Sequence, residues 1–163
     1  EEAYRICHHL LVIDAGKILS QGTKQDIFEH PSTLRVGQLT GCKNFSRAIA
    51  LSPHQVRALD WECTLQVIEP IPASLAYIGL RAHQFIFPDE ANLDNTFPCW
   101  LAATSETQHR MTLYLKLHQP STNPQDYHFQ AEVFKEKWDK LKDRPFPWQV
   151  QLHPLRILLL AEI

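Results

Sequence analysis

Before residue 44 the apolar residues come in short clusters between turn signals. Leu10 to Ile13 is too apolar for a surface loop, so His9 to Asp14 predicts a short buried strand. Ala15-Gly16 predicts a turn, and Lys17 to Gln21 a second strand folding back as a hairpin that Gly22 ends. Glu1 to Cys7 reads as one or two helical turns. Thr23 has the chemistry of a helix N-cap, Asp26 sits at the capping-box position, Ile27 and Phe28 supply an apolar face, and Pro31 ends the helix. Thr33 to Leu39 predicts another short helix, with Gly41 as its stop.

From residue 44 the pattern turns to partial alternation, with β-branched and aromatic enrichment. Strands are predicted over 45–51, 58–68, 75–81, 97–104, 111–118 and 127–134. Short strands punctuated by Pro and Gly suggest a barrel or a sandwich. The segments 87–95 and 119–126, rich in Pro, Asn, Asp and Ser, predict exposed loops. Lys135 to Leu141 looks helical, and Gln149 to Leu160, interrupted by His153-Pro154, reads as two short strands or a bent one.

Composition bounds the possibilities. The chain has 163 residues, 44% hydrophobic and 21% charged, which suits one good core and leaves no room for two full enzymatic domains. Sixteen Lys and Arg against 18 Asp and Glu give a formal net charge of −2, so neither nucleic acid nor an anionic membrane is expected as partner. A charged ligand must be captured locally. Cysteines 7, 42, 63 and 99 form no Cys-x-x-Cys pair, and scattered reduced thiols fit a cytosolic protein. The longest apolar stretches fall far short of the roughly 20 residues that cross a bilayer. The chain opens on Glu1 and its single methionine is Met111, so it is expected to be a piece of something longer.

Several chemistries find no pattern. Gly16-Lys17 lacks the spacing of a phosphate loop, no Gly-x-Ser-x-Gly elbow occurs, and nothing aligns a Ser-His-Asp triad. Nine histidines raise the question of metal, but His8 and His9 point to opposite faces of a strand, and the others lack the spacing that places two imidazoles on one helical face. Lysines around Trp138 are diluted by Glu132, Glu136, Asp139 and Asp143, as on a solvated helix face with Trp138 and Leu141 packed inward. The segment Gly41 to Ala48 stands out: small residues, two cations, an amide and a hydroxyl fall within eight positions. It can be read as a small-oxyanion site or as a turn leading into a strand.

Ordered matches then carry a resemblance. Glu1-Glu2-Ala3, then Leu11-Val12-Ile13-Asp14-Ala15-Gly16-Lys17-Ile18, then Gln21-Gly22-Thr23 and Ile27-Phe28 before Pro31 resemble the end of an ABC-transporter ATPase domain. His8-His9 stands where that family usually has Asp-Arg. Thr40 to Asn44 and Ile78-Gly79-Leu80-Arg81-Ala82-His83 resemble the opening strand and the "G-I-R" strand of the TOBE regulatory domain that follows in importers. Gly41 to Ala48 also resembles the "S-A-R-N-x-x-x-G" motif of molybdate-binding domains, with Gly41 for its serine, Cys42 for Ala, Lys43 for Arg, Asn44 retained and Ala48 for its final glycine.

The resemblance implies a mainly β fold with some α: residues 1–40 form the C-terminal tail of an ATPase domain, a hairpin plus helices, and residues 41–163 an OB-like β-barrel of TOBE type. It implies the regulatory end of the ATP-binding subunit of an importer for molybdate or tungstate, with an oxyanion held by Lys43, Asn44, Ser46, Arg47 and Arg81. The alternatives are a TOBE dimerisation domain from a sulfate, iron, sugar or polyamine importer, or a single-stranded nucleic-acid-binding OB-fold. The fragment is expected to be no enzyme and to hold no cofactor, because the P-loop, signature and Walker B motifs, with ATP and Mg, belong to the parent protein upstream. Expected partners are a second copy of the subunit and membrane permease subunits, with no nucleic acid. The expected location is cytoplasmic, peripheral to the inner face of the membrane.

Overall fold

The computed structural model describes residues 2–163. Short α1 (Glu2–Ile6) leads into β1 (His9–Asp14) and β2 (Lys17–Thr23), an antiparallel hairpin running from His9↔Thr23 to Asp14↔Lys17. Ala15 (φ 50) and Gly16 (φ 77) both take the left-handed conformation at its turn, the requirement of a two-residue loop that matches strand twist. The Thr23 hydroxyl accepts from the Asp26 amide at 3.1 Å and opens α2 (Lys24–Glu29), as the sequence predicts. Thr33 caps α3 (Leu34–Leu39) in the same way, and Gly41 at φ 94 turns the chain out of it. Arg35 on α3 reaches back to Asp14 (Nε to Oδ2, 3.0 Å), fastening the helix to the hairpin.

The remainder is mainly β. One five-stranded antiparallel sheet has the order β12-β6-β3-β4-β5, from β3 (Asn44–Ser52), β4 (Gln55–Ala58), β5 (Cys63–Gln66), β6 (Leu75–Leu80) and β12 (Leu158–Ala161). The other has the order β10-β9-β8-β11-β7, from β7 (Phe85–Ile86), β8 (Thr96–Glu106), β9 (Arg110–Leu117), β10 (Phe129–Phe134) and β11 (Trp148–Leu152). Neither sheet closes on itself. Both contribute to one core, in which Val56, Leu65, Ile78 and Leu80 of the first sheet join Leu113, Leu115, Leu117, Phe129, Val150 and Leu152 of the second. Burial of such side chains, each contributing roughly 1.5–3 kcal/mol, is the main stabilising term.

The two sheets repeat one wiring. In β3–β6 the first strand pairs with the second and the fourth, and the second with the third; β8–β11 pair in the same pattern. The fifth strand of each set crosses over: β7 joins β11 and β12 joins β6. The chain is thus two similar five-stranded units that exchange their last strands.

The sequence reading of 58–68 as one strand is corrected. The chain bends at 59–62, between β4 and β5, with Glu62 at φ 54. Trp61 is buried from within that bend, edge-on to Phe129 at 4.8 Å, so its apolar contribution comes from a turn and mimics strand alternation. The β7 strand and the 3-10 turn at Ala82–Gln84 also escaped the pattern, being only two and three residues long. The segment Gln149 to Leu160 resolves into β11 and β12. Helix α4 (Lys135–Leu141) buries Leu141 and packs Trp138 on the core. No described helix is long and apolar enough to cross a membrane.

Candidate anion-binding cleft

Strand β3 separates the residues of the Gly41 to Ala48 segment, because successive side chains on a strand face opposite sides. Asn44, Ser46 and Ala48 are buried, while Arg47 is exposed. Asn44 Nδ2 donates to the carbonyls of Leu80 (3.1 Å) and Gln130 (2.9 Å), and its Oδ1 accepts from the Gln130 amide (2.8 Å). Ser46 Oγ donates to the Arg47 carbonyl and accepts from the Asp60 amide. Arg47 is clamped by Asp60, with Nη2 to Oδ1 at 2.7 Å and Nε to Oδ1 at 3.1 Å. Each partner holds the other in its charged form: Arg47 sits above, and Asp60 below, its ordinary pKa.

Lys43 and Arg81 share one cavity. They line a cleft of about 830 Å³ between α1–α2 and the β unit, together with Arg5, Phe28, His83, Arg110, Glu132 and Arg156. Five cations face it (Arg5, Lys43, Arg81, Arg110, Arg156) against two carboxylates, Glu29 and Glu132. Arg110 is drawn toward Glu132, Nη1 to Oε1 at 3.4 Å. Among the described residues, Lys43 and Arg156 have no ion-pair partner. Partial burial pushes the His83 pKa down, and Arg81, Arg110 and Arg156 add to the shift against the opposing pull of Glu132. Burial first, and the locally positive field second, thus favour neutral His83, on a protein whose net charge is negative.

Arg81 has a second role. Its Nε and Nη2 donate to the Phe28 carbonyl (3.2 and 2.7 Å), Nη1 to the Thr40 carbonyl (2.9 Å) and Nη2 to Thr40 Oγ1 (3.0 Å), while the guanidinium lies 5.7 Å from the Phe28 ring. Burial lowers its pKa. Among the described residues these bonds from Arg81 to Phe28 are the hydrogen bonds that join residues 2–30 to residues 41–163.

Arg5, Arg110 and Arg156 lie far from the Gly41 to Ala48 segment in sequence, and no local motif marks them. They reach the cleft from α1, from β9 and from the residues before β12. No described group of three or more His, Cys, Asp or Glu side chains is placed to hold a metal ion. The sequence matches no model of a known protein family, and no curated protein gives a significant match.

Proposed function

We propose that this chain is the regulatory C-terminal part of the ATP-binding subunit of an ABC importer, and that it senses a cytosolic oxyanion of the molybdate or tungstate class in the cleft between residues 2–30 and the β unit. The observation that carries the sensing role is the meeting of Lys43 and Arg81 with Arg110 and Arg156 in one cavity of net positive lining. An oxyanion needs several donors together, since each desolvated oxygen left unpaired costs about 1–3 kcal/mol, and charge-assisted bonds from Lys and Arg supply them.

The hairpin, the capped helices and the β unit after them follow the order that the ABC and TOBE resemblance implies. In that reading residues 1–40 complete the ATPase domain and residues 41–163 form the OB-like regulatory domain. The nucleotide chemistry lies upstream, the subunit pairs with a second copy of itself, and permease subunits are reached through the ATPase domain. Two-fold pairing uses one self-complementary patch on each copy.

The test is thermal melting with molybdate, tungstate and sulfate. An anion that binds only the folded chain, at 100 times its dissociation constant, should add about 2.7 kcal/mol of stability. That response is expected in the parent chain and expected to vanish in Lys43→Ala. No shift with any of the three at millimolar concentration would leave the domain a structural and dimerisation element, and an equal shift in Lys43→Ala would place the site elsewhere.

A further inference from the structure

Among the described residues, the hairpin and α2 are joined to the β unit by hydrogen bonds from one side chain, and that side chain lines the cationic cleft. Nε and Nη2 of Arg81 hold the Phe28 carbonyl at the end of α2, while Nη1 and Nη2 hold Thr40 at the end of α3. A guanidinium has five N–H donors, so four bonds leave one N–H on Nη1 free to meet a ligand. We propose that Arg81 is a positioning residue that couples occupancy of the cleft to the seating of residues 2–30 on the β unit. This rests on the reading of the cleft as an oxyanion site and adds how binding there is transmitted.

The charge of Arg81 is half-buried against carbonyls and a hydroxyl, and none of these bonds is to a carboxylate. A partly desolvated cation without a counter-ion is unfavourable, and an anion arriving beside Lys43 and Arg156 supplies one. Neutralised from the cleft side, the guanidinium is stabilised in the geometry that grips Phe28 and Thr40. Occupancy therefore tightens the seat of α2. By linkage, seating of α2 raises the affinity for the anion by the same factor, which is commonly 5- to 150-fold for coupled sites. In the importer reading, this carries a cytosolic ligand signal to the part of the chain that continues the ATPase domain.

Arginine's fork, rather than its charge alone, makes the coupling, because a lysine ammonium cannot hold both carbonyls in fixed geometry. The experiment follows amide hydrogen exchange with and without molybdate for the parent chain, Arg81→Lys and Lys43→Ala, with molybdate affinity measured by calorimetry for each. The amide of His30, which closes α2 on the Asp26 carbonyl, is the reporter, and amides of β9 in the core control for global stability. In the parent chain, molybdate should slow His30 exchange at least about fivefold beyond its effect on β9. Arg81→Lys should bind molybdate at least about fivefold more weakly and, at saturating molybdate, leave His30 exchange within about twofold of its unliganded rate, while Lys43→Ala should bind poorly and show no change. Binding by the parent without slower His30 exchange, or slowing that survives in Arg81→Lys, overturns the coupling and leaves the sensor reading standing. Failure of the parent to bind molybdate, tungstate or sulfate overturns both.

Discussion

Asn44 and Asn95 occupy matching places in the two exchanged units and make matching bonds. Asn44 Oδ1 accepts from the Gln130 amide and its Nδ2 donates to the Gln130 and Leu80 carbonyls; Asn95 Oδ1 accepts from the Gln66 amide at 2.7 Å and its Nδ2 donates to the Gln66 (2.8 Å) and Leu152 (2.9 Å) carbonyls. Gln130 lies on the edge strand β10 of one sheet and Gln66 on the edge strand β5 of the other. Each asparagine thus gives an edge residue the donor and acceptor that a neighbouring strand would have given, across a gap where the sheets do not pair. Both side chains are buried, and buried backbone groups must find partners.

Replacing either asparagine by alanine removes three hydrogen bonds and leaves buried backbone groups on two strands without partners. At about 1–3 kcal/mol for each orphaned group, Asn44→Ala and Asn95→Ala are each expected to cost at least about 3 kcal/mol. Denaturant midpoints measure this. A loss below about 1 kcal/mol in both variants would mean that the gaps are hydrated and that the asparagines do not bridge the sheets.

Much of the fold was legible because local chemistry decided it. The Ala15-Gly16 turn, the Thr23 cap, the Gly41 stop and the break at His153-Pro154 each act over a few residues, and each lies where the sequence placed it. The exchanged fifth strands were not legible. They depend on which distant strand β7 and β12 meet, and periodicity carries no partner information. The cleft was legible in part: Lys43 and Arg81 could be named from the strands they adjoin. Asn44, Ser46 and Arg47 were named with them, because spacing within a segment shows donors but not which face of β3 they occupy. Arg110 and Arg156 enter through the same long-range pairing that hid the topology.

Asp126 accepts from Lys116 Nζ at 2.8 Å and from the Thr122 amide and hydroxyl at 3.0 Å, and these bonds pull its pKa down to about 2. An unfolded aspartate titrates near pH 3.9. A carboxyl with its pKa depressed in the folded state adds stability that is present above the unfolded pKa and is lost as pH falls toward the folded one. Stability should therefore decline between about pH 4 and pH 2, and the decline should be shallower in Asp126→Asn. Urea midpoints taken at intervals from pH 6 to pH 2 test it, and identical slopes for the two proteins would remove Asp126 as a contributor.

The thiols should divide by burial. Cys63 and Cys99 lie in the shared core, where desolvation pushes their pKa up to about 12, and buried Cys42 is also raised. The thiolate is the reactive form, so these three should resist a thiol reagent at pH 8 while half-exposed Cys7 reacts. One reactive thiol is expected in the native chain and four in denaturant. Rapid native labelling at Cys63 or Cys99 would show that the core opens locally.

Arg47 separates two accounts of where an oxyanion sits. If the ligand lay along the Gly41 to Ala48 segment, Arg47 would contribute a charge to it; in the structure its guanidinium is bound to Asp60, and it does not line the cleft. Both partners are largely solvent-exposed, and exposed pairs contribute about 0–1 kcal/mol, so Arg47→Ala should lower stability by no more than that. Its molybdate response should equal that of the parent chain. Arg156→Ala, which removes a cleft cation without an ion-pair partner among the described residues, should weaken the same response about tenfold, a change of about 1.4 kcal/mol. Calorimetric titration of both variants decides the matter: loss of binding in Arg47→Ala with retention in Arg156→Ala would move the anion from the cleft to the exposed face of β3.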